Sequence, residues 1–281
     1  MLKIENLTKI FNKEEGIENQ KIALNNISIH INKGDFVTII GGNGSGKSTL
    51  MNMISGVYDA DGGNIYIDDV NVTDMPEHKR AKYLGRVFQD PLMGTAPNMS
   101  ILENLELASR RCKKPTLKWG FSKDNQVEFL KLIEGLNLGL ETRLSQKVGL
   151  LSGGQRQALT LLMATFEKPK VLLLDEHTAA LDPKTASKVL DLTEKIVKEN
   201  NLTTLMITHN MKDAIKYGNR LIMLSEGNLI LDISGEEKAN LTIEELLQKF
   251  ENTGTTVSDK MLFYLCYLKE KENKQPLQNI K

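Results

Sequence analysis

Residues 41–49 read GGNGSGKST. Gly41 and Gly46 bracket four residues and are followed by Lys47 and Ser48, the spacing of a phosphate-binding P-loop. Gly41, Gly42, Gly44 and Gly46 allow the backbone N–H groups of the run, those of Asn43 and Ser45 among them, to converge on phosphate oxygens. Lys47 brings a charge within reach of β- and γ-phosphates, and the Ser48 hydroxyl suits Mg2+. A second cluster ends the apolar run KVLLLDE with Asp175 and Glu176. Two carboxylates there can divide the work: Asp175 holds Mg2+, directly or through water, and Glu176 polarises the water that attacks a γ-phosphate. Gln89, after RVF, and His209, after LMIT, also stand at strand ends. Gln89 is placed to meet the metal and water, and His209 to donate to the γ-phosphate.

A third stretch, LSGGQRQ, opens a helix with Ser152 as N-cap and Gln155 three residues on, the capping-box arrangement. Gly153 and Gly154 are expected to leave the first helical N–H groups uncovered, which makes an anion site. That site has no lysine and no metal ligand, so it must complete one begun elsewhere. If two copies pair about a twofold axis, the cradle of one faces Ser152–Gln155 of the other and a nucleotide lies between them.

The elements that must carry these residues are legible from periodicity. MLKIENLTKIF and ALNNISIHIN alternate as half-buried strands, DFVTIIGG reads as a buried strand running into the glycine loop, and DGGNIYIDD adds a turn and strand. A helix is expected from GKSTLMNMI. Helical spacing takes over near Ser100, where Glu103 completes a capping box and QVEFLKLIEGLNL carries an apolar stripe. KVLLLDE and TTLMITHN, separated by the helical PKTASKVLDLTEKIVKEN, predict strand, helix and strand in a buried parallel sheet.

Across 281 residues, 40% are apolar, enough for a sizeable core. Lysine plus arginine equals aspartate plus glutamate at 36 each, so no net positive field draws the chain to nucleic acid or anionic lipid. Cys112 and Cys266 have no metal-ligand spacing and argue for reduced thiols rather than a disulfide scaffold. The N-terminus lacks a signal-peptide core, and no run approaches the roughly 18 apolar residues that span a membrane. A cytoplasmic protein is expected.

With these motifs in this order, the sequence resembles the ATP-binding subunits of the ABC transporter superfamily, over roughly residues 2–235. The resemblance implies an α/β fold: a P-loop NTPase core with a mostly parallel sheet, an N-terminal antiparallel β subdomain and an inserted α-helical subdomain. It suggests an ATPase domain over 1–240, with the helical part at about 90–165, and a C-terminal helical extension over 241–281. By the same resemblance, Phe11 stacks on adenine, Gly41–Thr49 form the Walker A loop, Gln89 the Q-loop and Leu151–Gln155 the signature. Asp175 and Glu176 end Walker B, Leu181 and Asp182 form the D-loop, and His209 is the switch histidine. The implied cofactors are ATP and Mg2+. The implied partners are a second copy, membrane permease subunits and, through them, an extracytoplasmic solute-binding protein, which would hold the chain on the inner face of the membrane. His177 departs from the proline that many members carry after the glutamate. The wording DEHTAALDPKTA and QDPLMGTAPNMS resembles ATPases of bacterial uptake systems, with amino acids as a cargo class.

The rival reading is a soluble ABC ATPase acting as a scaffold in DNA maintenance, translation or Fe–S assembly. No coiled-coil insertion separates Gln89 from Ser152, no second P-loop occurs and no basic excess exists, all of which argue against it. A regulator without turnover would need the base to be missing, and Glu176 is there. Two stretches stay open: RRCKKPTLKWGFSK either approaches a permease or lipid headgroups or is a solvated loop. MLFYLCYL packs either on its own core or on a second subunit.

Overall fold

The structure is a computed structural model and describes residues 1–111, 113 and 123–252. Most of the basic stretch after Arg111, the apolar octet near the C-terminus and both cysteines lie outside the described residues. The first half contains β1 (Leu2–Phe11), β2 (Lys21–Ile31), β3 (Phe36–Ile40), α1 (Lys47–Ser55), β4 (Gly62–Ile67), β5 (Val70–Asn71), α2 (Glu77–Arg80), β6 (Leu84–Val87), α3 (Ile101–Ser109) and α4 (Lys123–Glu134). The second contains α5 (Gly153–Thr165), β7 (Val171–Asp175), α6 (Pro183–Asn200), β8 (Thr203–Ile207), α7 (Met211–Lys216), β9 (Arg220–Ser225), β10 (Asn228–Ser234), α8 (Gly235–Ala239) and α9 (Ile243–Asn252).

Two sheets result. One is antiparallel in the order β2-β1-β4-β5; the other runs β10-β9-β3-β8-β7-β6, parallel from β9 to β6 with β10 antiparallel at its edge. The near-continuous apolar runs of β7, β8 and β9 are explained by burial on both faces. On β7, Val171 and Leu173 join the core shared with the antiparallel sheet and α1, while Leu172 and Leu174 pack with Leu161 of α5 and Leu190 and Val197 of α6. On β9, Ile222 and Leu224 face the first core, and Leu221 and Met223 pack with Met211 of α7 and Leu246 of α9. Such a strand cannot slip by one residue without exchanging its two sets of contacts, so the sheet holds its register firmly.

A third core is separate. Ile101 and Leu105 of α3, Phe129 and Ile133 of α4, and Ala158, Leu159 and Leu162 of α5 form a helical cluster. Ser100 and Ser152 each make the reciprocal capping box expected of them, with Glu103 and Gln155. The carboxyl end of α1 is closed by the buried Arg80, whose guanidinium donates to the carbonyls of Met53 at 2.5 Å and Ile54 at 3.1 Å. An arginine at this end of a helix also opposes the partial negative charge there. The fold thus fixes α1 at its far end and leaves its N-terminus to the glycine loop.

Candidate active site

The loop after β3 is shaped as much by its neighbours as by any ligand. A Cβ on Gly41 would strike the Leu224 carbonyl of β9, and one on Gly46 the Ala23 carbonyl of β2, whereas Gly44 has only the Lys21 ammonium within 4.0 Å. Two of the glycines therefore serve close packing, and Gly44 faces open space. The β9–β10 turn supports the loop from behind: Gly227 N–H donates to the Ser45 carbonyl at 3.1 Å and its own carbonyl accepts from Asn25 N–H at 2.8 Å. Lys47 opens α1 and is buried, with its ammonium donating to the Gly41 and Gly42 carbonyls at 2.8 Å each. Ser45 is buried beneath it, while Ser48 is exposed and Thr49 half-buried. Phe11, Lys21, Ala23, Asn43–Thr49 and Glu176 line a cavity of about 200 Å3. Phe11 meets Tyr58 edge to face, ring centroids 5.4 Å apart.

The acidic end of β7 stands beside this loop. Burial pushes the Asp175 carboxyl above its ordinary range, while Arg86 pulls it down, with Nη2 at 3.6 Å from Asp175 Oδ2. The same guanidinium donates to Asn52 Oδ1 at 2.7 Å and Ser55 Oγ at 3.1 Å and lies over the Phe88 ring, so it joins α1, β6 and β7. Glu176 has left-handed backbone, φ 45°. Its amide donates to the Ile207 carbonyl at the end of β8, at 3.2 Å. His209 Nδ1 lies 3.6 Å from Glu176 Oε2; this contact holds Glu176 below its ordinary pKa and raises that of His209. The Lys47 charge acts on Asp175, Glu176 and His209 alike. The Glu176 carboxylate, the His209 imidazole and the Lys47 ammonium thus share one electrostatic neighbourhood.

His177 turns the other way. Its ring is wholly buried and burial lowers its pKa to about 4, so the imidazole is neutral. Nε2 lies 3.1 Å from Thr193 Oγ1 of α6.

Other expected residues stand apart. Gln89 is exposed, two positions beyond the end of β6, and does not line the cradle cavity. Asp182 caps α6, accepting from Thr185 N–H at 3.1 Å. Ser152, Gly154 and Gln155 line a different cavity, of about 420 Å3, with Thr185 and Lys188. The two signature glycines also differ from the expectation that both leave helical N–H groups uncovered. Gly153 is exposed, but Gly154 is buried because the Thr185 methyl occupies the space of its missing side chain. Gln155 spends its side chain locally, accepting from Ser152 N–H at 3.2 Å and donating to the Leu138 carbonyl at 3.2 Å. Within one chain, the second anion site does not meet the cradle.

Comparison with known proteins decides the family. The ABC transporter family profile matches residues 24–179. This chain belongs to the ABC transporter family. A tyrosine transport ATP-binding protein of Clostridioides difficile is 52% identical over 252 residues, covering 89% of this chain and 99% of the relative. An energy-coupling factor transporter ATP-binding protein, EcfA2, of Clostridium perfringens is 32% identical over 284 residues, with 96% of each covered. Among solved structures, the dimeric post-hydrolysis state of the ATP-binding cassette MJ0796 of Methanocaldococcus jannaschii, bound to ADP and Pi, matches with a TM-score of 0.70 at 30% identity. That match covers 83% of this chain and 98% of the cassette. The chain is an ATPase with the ABC ATPase fold, and among the described residues no helix is long and apolar enough to cross a membrane.

Mg2+ can be tested against the residues present. The Ser48 hydroxyl, the Gln89 amide oxygen and the Asp175 carboxylate are all hard oxygen donors, the class Mg2+ prefers. Among the described residues no cluster of three or more His, Cys, Asp or Glu forms a metal cage.

Proposed function

We propose that this ATPase powers an importer, pairing with a second copy of itself on membrane permease subunits that receive an amino acid from an extracytoplasmic binding protein. The observation that carries the reading is the 52% identity to a tyrosine transport ATP-binding protein over 99% of that relative's length, which makes an aromatic amino acid the first cargo to test. In the catalytic part of the proposal, Phe11 stacks on adenine and Gly41–Thr49 wrap the phosphates. Lys47 leaves its carbonyl partners for the β- and γ-phosphates. Glu176, kept ionised by His209, polarises the attacking water, and His209 donates to the γ-phosphate. Ser48 and Asp175 would hold Mg2+, with Gln89 joining them only if it moves in from its exposed position beyond β6, and the ion would neutralise phosphate charge. Ser152–Gln155 and Asp182 act on the nucleotide of the partner copy.

The chain should therefore be co-expressed with candidate permease and binding proteins and reconstituted in proteoliposomes. ATP-dependent tyrosine uptake that stops with Glu176→Gln is the expected result. Recovery of the chain solely as a free dimer, with no membrane partner and no stimulation of its ATPase by any amino acid, would overturn the importer reading.

A further inference from the structure

Lys21 is the one residue lining the cradle cavity that the motif pattern does not account for by charge. It stands opposite Phe11 in the β1–β2 ladder, so the strand pair that presents the aromatic ring presents this ammonium beside it. The ammonium lies 4.0 Å from where a Cβ on Gly44 would stand, over the exposed Asn43–Gly44 stretch of the loop. Neighbouring lysines of this sheet are engaged: Lys3 with Glu5, and Lys9 and Lys13 with Asp61. The Lys21 ammonium, among the described residues, has no ion pair or hydrogen bond.

We propose that Lys21 is a further nucleotide-binding residue whose ammonium contacts the polyphosphate over Gly44; the inference rests on the nucleotide site proposed above. The charge balance supports it. A magnesium-bound nucleoside triphosphate keeps a net charge of about minus two, and Lys47 offsets only one of these. A second cation at the mouth of the loop offsets the other. It comes from a strand outside the glycine motif, so its presence distinguishes this chain's site from the bare pattern. A solvated lysine at a strand start is the ordinary alternative, and the two differ in what salt and charge reversal do.

Binding of a fluorescent ATP analogue with Mg2+ to the full chain tests this. Lys21→Gln should weaken affinity roughly three- to tenfold, Lys21→Glu more, and Lys21→Arg should restore it. The gap between wild type and Lys21→Gln should narrow between about 50 and about 300 mM KCl, because the contact is partly exposed and screened. A merely structural lysine would give no such narrowing. Wild-type affinity in Lys21→Gln, or a loss that is independent of salt and not restored by arginine, would overturn the inference. Lys47→Ala separates the two layers: if wild type binds, Lys47→Ala does not and Lys21→Gln binds normally, only the role of Lys21 falls. If the folded wild type binds no analogue, both fall.

Discussion

Thr193 decides which nitrogen of the buried imidazole next to Glu176 carries the proton. Its hydroxyl donates to the Val189 carbonyl at 2.8 Å, as threonines inside helices do, so its oxygen can only accept from His177 Nε2 at 3.1 Å. His177 is thus the Nε2–H tautomer, and Nδ1 is buried without a partner among the described residues. The bond ties the position after Glu176 to the third turn of α6, and so steadies a glutamate held in left-handed backbone, which is strained for any residue but glycine. Thr193→Val keeps the shape and deletes the acceptor. It should cost about 1–3 kcal/mol in chemical denaturation, the usual cost of a buried donor left unpaired, and lower ATP turnover as well. Thr193→Ser should recover most of both. A valine variant as stable as wild type would show that the hydroxyl is not the partner of His177. At this scale the sequence reveals residue types well and contacts poorly. Lys47, Asp175 and Glu176 are legible because the chemistry demands those types at those spacings. Arg86, which ties Asp175 to α1, is one charge in a strand, and only the approach of three elements gives it meaning.

The strand that presents Phe11 is pinned at its end by one carboxylate. Asp61, in the turn before β4, accepts from Ile10 N–H at 2.6 Å and Lys13 Nζ at 2.5 Å, with Lys9 Nζ at 3.5 Å. Burial pushes its pKa up, but Lys13, the Ile10 amide and Lys9 together outweigh this and leave it below the ordinary 3.8. A carboxylate with a depressed folded pKa contributes stability that is present in full above its unfolded value and is lost as pH falls through the folded one. Asp61→Ala should therefore be less stable than wild type by about 0.5–1.5 kcal/mol near pH 7, solvent screening keeping the ion-pair part small, and the difference should shrink near pH 3. Urea midpoints at the two pH values check this; a constant difference would assign the effect to packing. Element by element, periodicity foretells β1, β2, β3, β7, β8 and the capped helices, because burial on one or both faces imposes it. The β9–β10 hairpin turns on Glu226 and Gly227, both left-handed, of which only the glycine marks a turn in the sequence. Its role as a brace for the P-loop has no sequence signal, since the Gly227–Ser45 bond joins residues far apart in sequence.

In the whole molecule the start of α5 and the glycine loop are separate places. α5 is 13 residues long, and its N-terminus offers N–H groups and positive potential through an exposed Ser152 and Gly153, yet the cavity there and the cradle cavity share no residue. Gly154 could not have been read correctly from sequence, because the Thr185 methyl that fills its place is set by Asp182, the cap of another helix. Through that contact the start of α5 packs on the start of α6, so a nucleotide held by both in a second copy would find them already aligned. The related cassette bound to ADP and Pi is a dimer, which makes the arrangement testable by assembly. Glu176→Gln removes the carboxylate proposed to polarise water while sparing the loop, so ATP should bind, turnover should fall by at least about a hundredfold, and a closed dimer should accumulate with nucleotide trapped. Adding Ser152→Arg places a bulky side chain and a lost cap where the helix N-terminus must approach a γ-phosphate. Size-exclusion chromatography with ATP and Mg2+ should then show a monomer that still binds nucleotide, since Lys47 and the loop lie in the other cavity. A dimer that survives Ser152→Arg unchanged would mean that the second anion site does not serve a partner's nucleotide.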